Sequence, residues 1–171
     1  YHKIFSLFPF ESELLKKHEV NFSYVGHPLA KNLPIDSNDQ ELKKTLNISL
    51  DKKVIAILPG SRKSEIKHHA KPISDFVNKY KKKNPDDEII LALNKKSDLL
   101  GGLEKLSKTI RVVYDSSHKI LASCNLAVIA SGTATLEAAI LAKPMVVIYK
   151  SNNLSNFILS NFFLKTEYIS L

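Results

Sequence analysis

Five short runs of apolar residues recur along the chain, and a segment with helical spacing separates each run from the next. Apart from Arg111, these runs contain no charged residue. Strands that are apolar throughout are typical of a parallel sheet that is covered by helices on both faces. The sequence therefore predicts an α/β fold with a doubly wound parallel sheet of Rossmann-like type, its strands at residues 54–58, 89–93, 110–114, 126–130 and 145–149.

The segments between and around these strands predict the helices. They lie at residues 39–46, 61–83, 97–108 (interrupted by Gly101-Gly102), 117–124, 136–142 and, with an unusually apolar composition, 154–164. Pro72 is expected either to divide the second helix or to mark its first turn. Residues 26–38 have the composition of a linker, so we place a domain boundary there. The last apolar run, 168–171, has nothing after it to cover it, and we expect a domain that is truncated at its C-terminus.

Composition narrows the classes of function. The formal charge is +8, but it comes almost entirely from scattered lysines, and Arg62 and Arg111 are the only arginines. Without an arginine cluster, a nucleic-acid partner is not predicted. The single cysteine, Cys124, excludes an intramolecular disulfide and is expected in the core. No set of Cys and His residues has zinc-ligand spacing. Joint metal binding by the adjacent His68 and His69 is not expected, because neighbouring side chains on a helix point about 100° apart. No apolar run approaches the roughly 20 residues of a membrane span.

A turn of small and hydroxyl residues, 131–135, lies between the fourth strand and the helix that carries Glu137. Open α/β sheets bind ligands at the carboxyl ends of their strands. The N–H groups at a helix start favour a phosphate there, and Glu137 lies about one helical turn away, near enough to reach a ribose. Taken alone, this turn is equally compatible with an ordinary Ser or Thr helix cap.

A second turn of the same kind, Pro59-Gly60-Ser61-Arg62, follows the first strand. Gly60 permits close approach of the backbone to a ligand, and Ser61 offers a hydroxyl beside free N–H groups. Arg62 can hold two phosphate oxygens at once, which a lysine cannot. The alternative is an exposed arginine paired with Glu65. Together the two turns predict a nucleotide-diphosphate pocket that has neither a Walker sequence nor the Gly-x-Gly-x-x-Gly spacing.

These residues belong to a series of motifs that occurs in the same order in lipid-A-disaccharide synthase, a family that the chain resembles over its whole length. The motifs are Phe8-Pro9-Phe10-Glu11, Tyr24-Val25-Gly26-His27-Pro28-Leu29, Leu58-Pro59-Gly60-Ser61-Arg62-x-x-Glu65-Ile66, Ala130-Ser131-Gly132-Thr133-Ala134-Thr135-Leu136-Glu137, Pro144-Met145-Val146-Val147-x-Tyr149 and residues 165–171. His27, Glu65 and Tyr149 are further candidates for the ligand cleft. His27 could instead be a structural histidine that bonds a backbone carbonyl.

The resemblance implies a GT-B glycosyltransferase, in which two Rossmann-like domains enclose the active site. Residues 1–25 would be the tail of the acceptor-side domain, residues 26–38 the connector, and residues 39–171 the UDP-sugar donor-binding domain. The family transfers 2,3-diacylglucosamine from UDP-2,3-diacylglucosamine to 2,3-diacylglucosamine 1-phosphate (lipid X). UDP is released, with inversion at the sugar and with no metal or cofactor. The implied location is the cytoplasm, peripherally on the inner membrane, and a homodimer is compatible with the family.

The resemblance also implies roles for the site residues. Gly60, Ser61 and Arg62 would hold the diphosphate or nucleotide, and Glu137 would bind ribose. Residues 131–133 (Ser131, Gly132, Thr133) would present N–H and hydroxyl donors to the departing UDP. The family's catalytic base is an acidic residue of the N-terminal domain, so no catalytic residue is assigned to this chain, which is expected to be inactive alone. The alternatives are another UDP-N-acetylglucosamine transferase or 2-epimerase of this architecture, and a non-catalytic nucleotide-binding fragment.

Overall fold

The chain divides after Leu33 into two compact units. The computed structural model describes residues 2–33, 39–114 and 117–149. The helix predicted at 154–164 and the motif at 165–171 therefore lie outside the described residues.

The first unit is a small α/β element. Strand β1 (Ile4–Ser6) pairs in parallel with β2 (Phe22–Tyr24), helix α1 (Pro9–Lys17) connects them, and a short helix, α2 (Leu29–Asn32), follows. Glu11 fixes the start of α1, because its Oε2 accepts the N–H groups of Leu7 and Phe8 at 2.9 Å each.

The second unit contains a five-stranded sheet in which every pairing is parallel. Its elements in chain order are α3 (Asp39–Thr45), β3 (Val54–Leu58), α4 (Lys63–Lys83), β4 (Glu88–Leu93), two 3₁₀ helices (Lys96–Asp98 and Leu103–Lys108), β5 (Arg111–Tyr114), α5 (Ser117–Ser123), β6 (Leu126–Ala130), α6 (Thr133–Ile140) and β7 (Met145–Ile148). All five predicted strands are present, and the predicted parallel α/β sheet is confirmed.

The strand order is β5-β4-β3-β6-β7. From β3 the chain adds β4 and then β5 on one side, and it returns to add β6 and β7 on the other. The order thus reverses between β3 and β6, whose register pairs Leu58 with Ile129. Such a reversal opens a crevice at the carboxyl ends of the two strands, because their following helices cover opposite faces of the sheet.

Helices on both faces bury the sheet. Every residue of β3 is buried. Ile55 and Ile57 pack into a core with the apolar face of α4, whereas Val54, Ala56 and Leu58 pack into a second core with α5 and α6. Alternating strand residues therefore enter different cores, which explains why the strand sequences are apolar throughout. Cys124 is 2% exposed in the second core, as predicted.

The prediction for Pro72 is wrong. Pro72 neither divides α4 nor begins it, since the helix runs unbroken from Lys63 to Lys83. An internal proline costs about 3 kcal/mol, and the buried face of this helix, which includes Ile66, Ile73 and Val77, offsets that cost by packing on the sheet.

The interruption predicted at Gly101-Gly102 is confirmed, but the segments on either side of it are 3₁₀ rather than α-helical. Gly101 and Gly102, which separate these segments, have φ values of +71° and +101°, which a right-handed helix cannot contain.

Candidate nucleotide-binding site

A cavity of about 350 Å³ opens at the carboxyl ends of β3 and β6, where the strand order reverses. All seven residues predicted to bind the donor line it, and so does Glu65. The lining residues are Leu58, Gly60, Ser61, Arg62, Glu65, Ala92, Asn94, Ser117, Ala130, Ser131, Gly132, Thr133, Ala134 and Glu137. Residues 60–62, far in sequence from residues 131–134 and Glu137, thus line the same cavity.

The turn after β3 is held by the Glu65 carboxylate from the first turn of α4. Glu65 Oε2 accepts the N–H groups of Ser61 at 3.1 Å and Arg62 at 3.2 Å, and Oε1 lies 2.8 Å from Arg62 Nη1. The ion pair confirms the alternative considered for Arg62, but the two N–H groups predicted to be free are occupied. The Arg62 side chain remains 81% exposed, and among the described residues only its Nη1 has a hydrogen-bond partner.

These contacts set the ionisation of Glu65. Burial opposes its charge, but the hydrogen bonds from the Arg62 N–H, the Arg62 guanidinium and the Ser61 N–H outweigh this effect, so the pKa of Glu65 is lowered from 4.5. A carboxylate with a lowered pKa contributes stability that is present above the pKa of the unfolded chain and is lost as pH falls through the folded pKa.

We expect Glu65→Gln to lower the unfolding free energy by about 1 kcal/mol at neutral pH, because a neutral amide holds the helix start less well. The difference from the unmodified chain should shrink as pH falls below the ordinary glutamate pKa. Urea unfolding at neutral and acidic pH measures it. Asp75→Asn on the same helix is the matched control, since Asp75 forms an exposed pair with Lys71 and should change stability by less than about 0.5 kcal/mol. Equal effects of the two substitutions at every pH would contradict this role of Glu65.

The turn after β6 presents a helix start without a side-chain cap. Gly132 precedes the first residue of α6, and no side chain of that position caps the helix, so the ordinary Ser or Thr cap is not what the structure shows. The Ser131 N–H donates to the Ile148 carbonyl at 2.9 Å. The Ser131 N–H is therefore occupied within the sheet, which contradicts the expectation that it is offered to a ligand. Gly132 and Thr133 are exposed at the cavity.

Glu137 lies on α6 at the wall of the cavity. Burial raises the pKa of its carboxyl group, and the nearby His118 opposes this shift only in part. A carboxylate that is partly desolvated and faces a cavity gains from hydroxyl donors that a ligand brings. This is the chemistry that binding of a ribose needs.

The two other cleft candidates are His27 and Tyr149. His27 belongs to the first unit, where its Nδ1 accepts the Leu29 N–H at 3.2 Å and its ring lies 5.5 Å from that of Phe8. The structure thus gives it a structural bond, although to a backbone N–H rather than to a carbonyl. Tyr149 follows β7 and is 47% exposed.

The sequence prediction missed two polar residues that line the cavity, Asn94 and Ser117. Both carry a signal that could have found them. Asn94 is the first residue after the apolar strand β4, and Ser117 begins α5, the helix that follows β5. They therefore occupy the same kind of position, past the carboxyl end of a strand, as the two turns that were chosen.

Among the described residues no group of three or more His, Cys, Asp or Glu side chains could hold a metal ion. In the same part of the chain, no helix combines the length and the apolar composition needed to cross a membrane.

The sequence profile of the lipid-A-disaccharide synthetase family matches residues 1–171. The chain belongs to this family. Three curated relatives, each named lipid-A-disaccharide synthase, support the same membership. The protein of Albidiferax ferrireducens is 36% identical over 158 residues, which are 89% of this chain and 40% of that protein. The Pseudomonas paraeruginosa protein is 35% identical over 97% of this chain and 45% of its own length. The Acinetobacter baylyi protein is 33% identical over 98% of this chain and 46% of its own length.

This family member therefore spans less than half the length of the curated relatives it matches. Solved structures support the fold. UDP-GlcNAc 2-epimerase of Methanocaldococcus jannaschii, in complex with UDP-GlcNAc and UDP, is similar over 93% of this chain and 48% of its own, with a TM-score of 0.62 and 18% identity. The wall teichoic acid polymerase TagF is similar over 85% of this chain and 37% of its own, with a TM-score of 0.54 and 20% identity. At these identities the likeness concerns the fold alone.

Proposed function

We propose that this chain is the UDP-sugar-binding part of a lipid-A-disaccharide synthase. The enzyme transfers 2,3-diacylglucosamine from UDP-2,3-diacylglucosamine to lipid X and releases UDP. Residues 1–25 are the tail of the acceptor-side domain, residues 26–38 the connector, and residues 39–171 the donor-binding domain. The observation that carries the proposal is the convergence of residues 60–62 with residues 131–134 and Glu137 on one cavity at the reversal of strand order. Membership of the family selects the reaction among those that such a cavity could serve.

Different residues of the cavity bind different parts of the donor. Arg62, with its exposed guanidinium, and the start of α6 neutralise the diphosphate, while Glu137 accepts hydrogen bonds from the ribose hydroxyls. During transfer the acceptor hydroxyl oxygen bonds to the anomeric carbon and the bond from that carbon to the diphosphate oxygen breaks with inversion. Negative charge then develops on UDP, and preorganised positive groups stabilise it most at that stage. The proton of the acceptor passes to an acidic base that we assign to the acceptor-side domain.

Two measurements test this proposal. Titration of UDP into the chain by calorimetry should show saturable binding, with ADP and CDP weaker. An assay of disaccharide formation with both lipid substrates should show no turnover by the chain alone, because the proposed base lies in the other domain, whereas the full-length enzyme should be active. Absence of UDP binding would refute the site. Robust turnover by the chain alone would refute the division of roles, and a full-length enzyme that used UDP-N-acetylglucosamine instead would refute the substrate.

We expect Glu137→Gln to weaken UDP binding about tenfold, because hydrogen bonds to a charged acceptor are the stronger ones. It should also raise the unfolding free energy at neutral pH. Since the folded pKa of Glu137 is raised, its charge costs the folded state stability above that pKa, and the cost vanishes below the pKa of the unfolded chain.

The ribose contact itself is tested with 2′-deoxy-UDP. The unmodified chain should bind it more weakly than UDP, and the Glu137→Gln variant should bind the two ligands with similar affinity. If the variant still discriminates between them as strongly as the unmodified chain does, Glu137 does not bind the 2′-hydroxyl.

A further inference from the structure

His69 is a buried histidine on α4 and is not one of the predicted site residues. It is 3% exposed, and its Nδ1 lies 2.8 Å from the carbonyl oxygen of Pro59, ten residues earlier in the chain. A carbonyl oxygen can only accept a hydrogen bond, so Nδ1 carries the proton. The imidazole therefore holds the first peptide of the turn that follows β3.

The position of this bond matters because a peptide group is planar. No peptide bond of the described residues is cis. The C=O of Pro59 and the N–H of Gly60 therefore lie in the same peptide plane and point in opposite directions. With the carbonyl held by the buried imidazole, the Gly60 N–H points away from the helix interior. Gly60 lines the cavity, and its φ of +116° shows that the turn is sharply bent at this residue.

A second side chain of α4 holds the next peptides of the same turn. Glu65 lies one helical turn before His69, and side chains four residues apart share a face of a helix. Glu65 accepts the N–H groups of Ser61 and Arg62, while His69 donates to Pro59. One face of α4 thus fixes the turn from its carbonyl side and from its N–H side.

We propose that His69 is a positioning residue of the diphosphate site. It orients the Pro59–Gly60 peptide so that the turn is preorganised for the phosphates, and it does not touch the ligand itself. The identity of the ligand rests on the proposed function, whereas the hold of His69 on the turn does not.

The test compares three forms of the chain with two ligands. His69→Leu fills a similar volume without a donor. His69→Asn places an amide N–H near the position of Nδ1, because both side chains branch at Cγ. We expect His69→Leu to bind UDP about tenfold more weakly and to bind uridine, which lacks the phosphates, as the unmodified chain does. His69→Asn should restore UDP affinity to within about twofold of the unmodified chain. If His69→Leu does not fold, His69→Gln replaces it, since its amide lies one bond farther from the backbone.

A readout without ligand separates this proposal from the proposed function. Amide hydrogen exchange of residues 60–62 should be faster in His69→Leu than in the unmodified chain, and in His69→Asn it should match the unmodified chain. An unchanged exchange rate overturns the proposal, as does a loss of affinity that is equal for UDP and uridine. If the unmodified chain binds no UDP, the proposed function fails, and the exchange rates still decide whether His69 holds the turn.

Discussion

Replacing Gly60 with alanine is expected to weaken UDP binding by at least about tenfold and to lower the unfolding free energy by about 2 kcal/mol. Gly60 has a φ of +116°, a value that L side chains rarely adopt. A Cβ atom there would lie 2.8 Å from Glu65 Oε2 and 3.0 Å from Glu65 Cβ. The new methyl group therefore strains the backbone and also displaces the carboxylate that holds the turn.

Gly102→Ala is the matched control for this substitution. Gly102 has a similar φ of +101°, but a Cβ atom there meets no described heavy atom within 4 Å, and Gly102 does not line the cavity. Both variants share the backbone strain, so the difference between them measures the contact with Glu65. Calorimetric UDP titration and urea unfolding of both provide the comparison. UDP affinity that is unchanged in Gly60→Ala would show that the turn does not approach the phosphates.

The location of the site could be predicted because it depends on topology. Apolar runs identify buried parallel strands, and the residue types just after each run identify the sheet edge where ligands bind. Arg62 and Glu137 are predictable in this way, and both line one cavity in the structure. The same logic applied to every strand would have added Asn94 and Ser117.

What could not be predicted depends on which partner each polar group finds in three dimensions. The Ser61 N–H is occupied by Glu65, and the Ser131 N–H by the Ile148 carbonyl, although both belong to turns chosen for their free N–H groups. The contact of His69 with Pro59 spans ten residues and requires the helix to fold back over the strand end. Pro72 stays inside α4 because tertiary packing outweighs a local preference. Local sequence thus indicates where the donors lie, and packing decides which of them remain for a ligand.

Arg62→Lys is expected to weaken UDP binding about tenfold, and Arg62→Ala about a hundredfold. In the structure one nitrogen of the guanidinium, Nη1, pairs with Glu65. Because the guanidinium is planar, this pair also fixes the directions of its other N–H groups. A lysine has one charged nitrogen, so it cannot hold Glu65 and the diphosphate in the same geometry. The loss in Arg62→Ala should also decrease at high salt, because the exposed charge of Arg62 is then screened in the unmodified chain, whereas Arg62→Lys keeps that charge. Calorimetry at low and high salt measures both effects.

Arg111→Lys tests whether the effect belongs to the site. Arg111 is the other arginine of the chain and pairs with Glu88 at 2.9 Å, away from the cavity. Its replacement should alter stability but leave UDP affinity within about twofold, since no ligand contact is removed. If Arg62→Lys binds UDP normally while Arg62→Ala does not, a point charge is sufficient and the planar guanidinium is not what the site requires. If neither variant loses affinity, the diphosphate does not lie on this turn, and the start of α6 remains as its binding site.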